Sequence, residues 1–187
     1  MKRILVWAAA LQVALFLVAG SAAADGNAAA RLLEANYRAV DQLLASIPSY
    51  RALDRRLPII MSTVVNIDDL KGSRFGRVLA EQIGTRMSQD GYTMVELKLR
   101  DKIFVQQGEG ELMLSREVKD LSTSQRAQAV VVGTYAESGG GVYSGSRGYV
   151  FVTLKIVDVT DDLVLAAHDY ILPLDGNVRS LLYASRH

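Results

Sequence analysis

Ser115, His168 and Asp169 are the residue types of a hydrolase triad, in which histidine takes the serine proton and aspartate orients the histidine. Ser115 lies within a helical pattern and not in the glycine-flanked turn that exposes a nucleophile, and His168 lies within a strand pattern. The chain has two histidines and no cysteine. A histidine metal site is therefore not favoured, and thiolate chemistry is excluded. We predict a protein that is not an enzyme, with no catalytic residues, metal ligands or cofactors.

The segment Gly72–Arg77, with sequence GSRFGR, is a candidate contact site because it passes from a strand pattern into a helix pattern. Backbone N–H groups at a helix start can hold an anion, and Arg74 and Arg77 would help. The simpler interpretation is that Ser73 caps the helix while the arginines are solvated. No Gly-Lys-Ser/Thr follows, so this is not a phosphate loop, and we favour the capping role.

A second candidate contact site is the glycine- and serine-rich loop Glu137–Gly148. It carries Tyr143 and Arg147, and such a loop can become ordered on a partner or close over a ligand. The alternative, which we favour, is a hairpin tip without a binding role. The interaction residues predicted from the sequence are thus Arg74, Arg77, Tyr143 and Arg147.

The elements that position these residues alternate between helical and strand periodicity. The segment Gly110–Tyr135 is central to this interpretation: its leucines and valines predict an amphipathic helix, followed by a strand at Ala129–Val132 that Gly133 ends. The other predicted elements are a helix at Ala28–Ile47, a strand at Pro58–Asn66, a helix from the Ser73 cap to about Gln89, a strand at Tyr92–Leu99, a connector at Arg100–Gly110, strands at Tyr149–Thr160 and Leu163–Leu172, and a helix at Asn177–Ala184.

The consecutive apolar residues Ala129–Val132 indicate a strand that is covered on both faces. The two preceding βα steps predict right-handed crossovers and a parallel portion of the sheet. The last two strands form a hairpin and add an antiparallel edge. We therefore predict an α/β fold with a mixed sheet: a three-layer-like domain with a βαβαβ core and a C-terminal antiparallel hairpin.

Residues 1–24 have the pattern of a cleaved secretory signal peptide: Lys2 and Arg3, an apolar run, and Ala22–Ala24. A membrane anchor is the alternative, but the apolar run is shorter than the ~20 residues that a span needs. We divide the rest into an N-terminal helix and connector, residues 25–57, and a domain, residues 58–187. We expect a periplasmic protein with no transmembrane span after cleavage.

The charge of the mature chain argues against nucleic-acid partners. Cleavage removes Lys2 and Arg3, which leaves 19 basic residues (21 − 2) against 20 acidic ones. A nearly neutral protein offers little attraction to phosphate backbones. The absence of cysteine also excludes lipid attachment through an N-terminal cysteine.

Several sequence blocks resemble the FlgO family: LLEANYRAVDQLL from Leu32, NIDDL from Asn66, SRFGR from Ser73, GELMLSRE from Gly110, AQAVVVGTY from Ala127 and AAHDYILPL from Ala166. The resemblance spans nearly the whole mature chain. It implies a non-enzymatic envelope protein associated with the outer membrane and the flagellum, with envelope or flagellar basal-body proteins as partners; a homo-oligomer is also an expectation. Family members are often lipoproteins, so a chain without cysteine would be held at the membrane by protein contacts, or not at all.

A second function also fits the sequence. The layout is also similar to the N-terminal domain of TolB and to the periplasmic part of CsgG. The alternative is therefore a periplasmic envelope-assembly or ligand-binding module that is unrelated to flagella.

Overall fold

The computed structural model describes residues 26–96, 105–108, 111–114, 116–139 and 148–183. Its helices are α1 (residues 26–45), α2 (Arg74–Gln89), α3 (Arg116–Gln125) and α4 (Gly176–Leu182), with a 3-10 turn at Ser49–Arg51. Its strands are β1 (Ile59–Met61), β2 (Val65–Asn66), β3 (Met94–Glu96), β4 (Val105–Gly108), β5 (Glu111–Leu114), β6 (Ala129–Ser138), β7 (Tyr149–Asp158) and β8 (Val164–Pro173).

Six strands form a mixed sheet in the order β3-β1-β6-β7-β8, with β2 also paired to β6. The pairs of β1 with β3, β1 with β6, and β2 with β6 are parallel. The pairs of β6 with β7 and β7 with β8 are antiparallel. The prediction of a mixed α/β sheet with a C-terminal antiparallel hairpin is confirmed, and Ala129–Val132 lies in its middle.

The main core lies on one face of the sheet, under α1, α2 and α4. Leu43 of α1, Phe75 and Ile83 of α2, and Val178 of α4 are buried there against the strands. The chain runs from β1 outward to β3 and then back past β1 to β6. Crossovers of the usual right hand place α2 and α3 on opposite faces of such a sheet. A smaller apolar cluster, which includes Val130 and Val132, fills that second face. The domain therefore has three layers, and α1 belongs to the same core as the rest.

The predicted strand Pro58–Asn66 is interrupted, and this corrects the uniform alternation expected from the sequence. Met61 pairs with Val131 and Val65 pairs with Thr134, so the register offset falls from 70 (131 − 61) to 69 (134 − 65). One extra residue is therefore accommodated at residues 62–64, as in a β-bulge. The backbone N–H and the hydroxyl of Ser62 both donate to the Val131 carbonyl, at 3.0 and 2.8 Å. Because of this shift, Val64 joins the main core together with Ile59 and Met61.

Gly133 does not end the central strand, contrary to the prediction. It pairs with Leu154 in the middle of the β6–β7 ladder, and β6 continues to Ser138. A Cβ atom at Gly133 would lie 3.0 Å from both Leu154 Cδ2 and Val64 Cγ2. The glycine is thus explained by close side-chain packing and not by a turn.

The region before α3 is the largest departure from the prediction. The predicted connector Arg100–Gly110 contains β4, and Glu111–Leu114 forms β5 instead of the first turn of a helix. The two strands make an antiparallel hairpin, in which Gln107 pairs with Leu112. Leu112 and Leu114 are two residues apart, which is the strand period, and only the later residues keep helical spacing. The end of the predicted strand Tyr92–Leu99, at residues 97–99, lies outside the described residues.

Candidate interaction surface

The first turn of α2 is fixed by a serine cap, as predicted. Ser73 has extended backbone angles, and its hydroxyl accepts a hydrogen bond from the Gly76 N–H at 2.9 Å. This bond satisfies one of the N–H groups that a helix start leaves without a partner. The helix ends at Gln89, as predicted, and Gly91, with φ of 90°, lies in the turn that follows.

The same hydroxyl is held from the side of the sheet. The Tyr135 hydroxyl of β6 donates to Ser73 Oγ at 2.9 Å, and the Tyr135 ring meets Phe75 edge-on with centroids 5.1 Å apart. Burial raises the pKa of Tyr135 above its ordinary value. Tyr135 therefore stays a neutral donor at physiological pH and ties the helix start to the central strand.

Arg74 and Arg77 lie together on the exposed side of this first turn. Residues three apart are neighbours on a helix surface, so the structure brings the two predicted side chains close. Within the described residues neither arginine forms an ion pair, whereas Arg51, Arg55, Arg56 and Arg86 do. The first turn contains no acidic residue. Two cations at the positive end of the helix dipole are unfavourable there, although the preceding turn carries the exposed acidic residues Asp68 and Asp69.

An ordered turn leads into this surface. Asn66 Oδ1 accepts from the Asp68 N–H at 2.8 Å, and Asp69 Oδ1 accepts from the Lys71 N–H at 3.0 Å. The turn carries Ile67, whose side chain is 45% exposed. We define the α2-start surface as Ile67, Arg74 and Arg77. Guanidinium groups bind carboxylates by paired hydrogen bonds, so this surface suits an acidic protein partner.

Ser73→Ala is expected to lower the free energy of unfolding by about 1–2 kcal/mol. The change removes the cap of Gly76 and leaves the buried Tyr135 hydroxyl without its serine partner. Urea denaturation followed by circular dichroism measures the loss. Ser73→Thr is the matched control, because threonine keeps a capping hydroxyl; equal losses in the two variants would contradict the capping role.

The structure describes only some of the other residues singled out from the sequence. Tyr143, Arg147 and Ser115 lie outside the described residues. Asp169 accepts from the Thr153 hydroxyl at 2.6 Å, and His168 stacks on Tyr170 with centroids 6.4 Å apart. The absence of catalytic residues and cofactors stays a prediction.

The described residues contain no group of three His, Asp or Glu side chains that could hold a metal ion. None of the helices placed by the structure is long and apolar enough to cross a membrane.

Sequence reasoning missed a buried polar cluster that joins α1, α2 and β8. Asn36 is fully buried. Its Nδ2 donates to Gln82 Oε1 at 2.5 Å, and its Oδ1 accepts from the Tyr170 hydroxyl at 2.6 Å. Burial strongly raises the pKa of Tyr170, so the hydroxyl keeps its proton. A signal was available, because Asn36 lies four residues after Leu32 and four before Val40, within the apolar stripe of α1.

Comparison with known proteins gives a family match and several structural likenesses. The sequence model described as FlgO protein matches residues 37–177. Among curated proteins, no sequence matches the chain.

Several solved structures resemble the fold. Three of them are a dodecamer of a PelC variant from Paraburkholderia phytofirmans (15% identity, 72% of this chain and 86% of that chain, TM-score 0.47), the LpoB C-terminal domain from Salmonella enterica (12%, 74% and 95%, TM-score 0.48), and lipoprotein GNA1162 from Neisseria meningitidis (14%, 64% and 82%, TM-score 0.42). Because the identities and TM-scores are this low, we draw nothing about function from them. The similarity in layout to TolB and CsgG stays a prediction.

Proposed function

Because the chain belongs to the FlgO family, we propose that it is a non-enzymatic envelope protein that supports flagellar assembly, stability or motility through contacts with other proteins. The family match runs from α1 into the start of α4, so it includes both faces of the sheet. The signal-peptide pattern in residues 1–24 supports export to the periplasm.

The observation that carries this proposal is the α2-start surface. Arg74 and Arg77 are exposed, and no acidic residue lies in their helical turn. Placing two cations against the helix dipole costs stability, and a partner carboxylate would recover that cost. The partner chemistry that fits is an acidic surface on an envelope or basal-body protein.

The proposed location depends on how the chain could be attached to the outer membrane. The sequence contains no cysteine, so protein contacts must supply any attachment of this chain to the outer membrane. We propose a periplasmic protein that is held at the outer membrane by a partner. Fractionation of the tagged protein tests this: recovery in the outer-membrane fraction, with release by high salt, is expected. Recovery only in the soluble periplasm would overturn the attachment.

The double variant Arg74→Glu/Arg77→Glu is expected to lose most of the outer-membrane retention and to shrink the swimming halo in soft agar. Both substitutions place carboxylates where the helix dipole favours them, so folding should be kept or slightly improved. A loss of function would then report a lost contact and not an unfolded protein. The swimming halo, the flagella visible by electron microscopy and the protein level are measured together.

Arg31→Glu is the matched control. Arg31 is exposed on α1, and no salt bridge engages it in the described part of the chain. It should leave retention and swimming unchanged. If a deletion strain swims normally with normal flagella but has a leaky outer membrane or a secretion defect, the flagellar role is wrong and the alternative of an envelope-assembly module is favoured.

A further inference from the structure

Strand β8 forms an edge of the sheet. It is ten residues long and pairs with β7, and no strand of the described residues pairs with its outer side. An edge strand presents a row of backbone N–H and C=O groups that can pair with another chain. Proline is tolerated at such an edge, and Pro173 ends β8.

The side chains along this edge have an ordered pattern. Exposed apolar residues lie at both ends: Leu163 and Val164 at the start, and Ile171 near the finish, each about half exposed or more. Between them lie exposed Ala167 and Asp169. Lys155 of β7 is directly opposite Ala167, and Thr153 is directly opposite Asp169, so these four residues share one face of the sheet.

We propose that a second copy of this chain pairs with β8 in antiparallel orientation, with a two-fold axis at His168. In this register Ala167 of one copy lies opposite Asp169 of the other. The apolar Ile171 approaches the exposed Leu163 and Val164 of the second copy, next to the shift in the β7–β8 register at Leu165. The same contact is made a second time by symmetry. A two-fold interface must be self-complementary, and the apolar ends of β8 meet this requirement.

Charge complementarity favours this register. Lys155 and Asp169 of one copy are diagonal neighbours on the same face, about 7–8 Å apart, so the second copy would bring a further aspartate to each lysine. Lys155 and Asp169 of the second copy would flank the small Ala167 on the same face, about two strand spacings or ~10 Å apart between Cα atoms. The long lysine side chain and the aspartate can bridge this distance across alanine. Within the described residues neither Lys155 nor Asp169 forms an ion pair, and Asp169 accepts only the Thr153 hydroxyl. Because of the two-fold symmetry, the dimer contains this contact between Lys155 and Asp169 twice. This proposal does not depend on the flagellar role.

Exchange of charges between two variants tests the contact. Asp169→Lys places two lysines together at each contact, and Lys155→Asp places two aspartates together. Each variant alone should therefore dimerise about thirtyfold more weakly than the unchanged protein. An equimolar mixture of the two variants should form a heterodimer, because both contacts are then between opposite charges. Sedimentation velocity of the exported, purified protein measures the three cases, and circular dichroism checks the fold.

A cysteine at the proposed axis gives a second, covalent test. Residues directly opposite in an antiparallel pair have Cβ atoms about 4.5–5.5 Å apart, close to the spacing of a disulfide. The chain contains no cysteine, so His168→Cys can only cross-link through that position. We expect a disulfide-linked dimer on a non-reducing gel. Leu57→Cys is the matched control. Leu57 is exposed but lies next to β1, which is separated from β8 by strands β6 and β7.

A protein that stays monomeric at about 100 µM would overturn the proposal. A dimer whose affinity is unchanged by either charge reversal, or a mixture that does not recover dimerisation, would place the interface elsewhere and overturn this assignment. Equal cross-linking at positions 57 and 168 would show that the disulfides form by random collision of monomers, and would also overturn the proposal.

Discussion

Gly76→Ala is expected to lower the free energy of unfolding by more than about 3 kcal/mol, or to prevent accumulation of folded protein. A Cβ atom at this position would lie 1.8 Å from the Val64 carbonyl oxygen and 2.9 Å from its carbon. Both atoms belong to the backbone, so no side chain can rotate away. Helix α2 would have to move off the bulge between β1 and β2, which would open the main core around Phe75 and Val64.

Gly84→Ala is the matched control on the same helix. Gly84 is also buried, but the nearest atom to an added Cβ would be Met61 Cγ at 3.8 Å, an ordinary contact. Alanine favours a helix over glycine by about 1 kcal/mol, so this variant should be as stable as the natural chain or more stable. Thermal and urea denaturation of both variants measure the difference. Similar destabilisation at positions 76 and 84 would show that the contact with Val64 is not the cause.

The interior of the sheet could be predicted because each element has its own period. Residues 150, 152, 154 and 156 of β7 alternate into the core as the sequence indicates. The bulge at residues 62–64 could not be predicted, because an alternating strand gives no sign of one extra residue. The bulge is stabilised by contacts with β6 and α2: Ser62 donates a hydrogen bond to Val131, and Gly76 packs on Val64. Both contacts are distant in sequence.

In the region before α3, the sequence pattern indicates the wrong type of element. Helical periodicity places Leu112, Leu114, Val118 and Leu121 on one face of a predicted helix, although the first spacing is two residues. The β4–β5 hairpin depends on pairing between Val105 and Leu114, which a search for helical periodicity does not examine. A short apolar run is ambiguous between the two periods, and the pairing decides it.

The candidate surface was predictable in part. The cap at Ser73 and the position of Arg74 and Arg77 follow from local sequence, and the structure confirms them. The support from Tyr135 does not, because β6 and α2 are brought together only by the sheet. The same limit applies to Asn36: its place in an apolar stripe was readable, but its partners on α2 and β8 were not.

Asn36→Leu is expected to destabilise the protein by about 2–3 kcal/mol, although it replaces a polar side chain in the core with an apolar one of similar shape. Asn36 is fully buried and accepts from the Tyr170 hydroxyl. Without Asn36, the Tyr170 hydroxyl stays buried but has lost the acceptor of its hydrogen bond. Burying a donor without an acceptor lowers the stability of the folded state. Gln82 is only partly buried, so its amide can turn to water.

The double variant Asn36→Leu/Tyr170→Phe separates the cost of the orphaned hydroxyl from the cost of changed shape. Removing both partners of a buried hydrogen bond can be nearly neutral, whereas removing one is expensive. The double variant should therefore be more stable than Asn36→Leu alone, with a coupling energy of at least about 1 kcal/mol in the mutant cycle. Urea denaturation of the four proteins measures it. Additive losses would mean that the cluster contributes only through packing, and that α1 is held on the sheet by its apolar stripe alone.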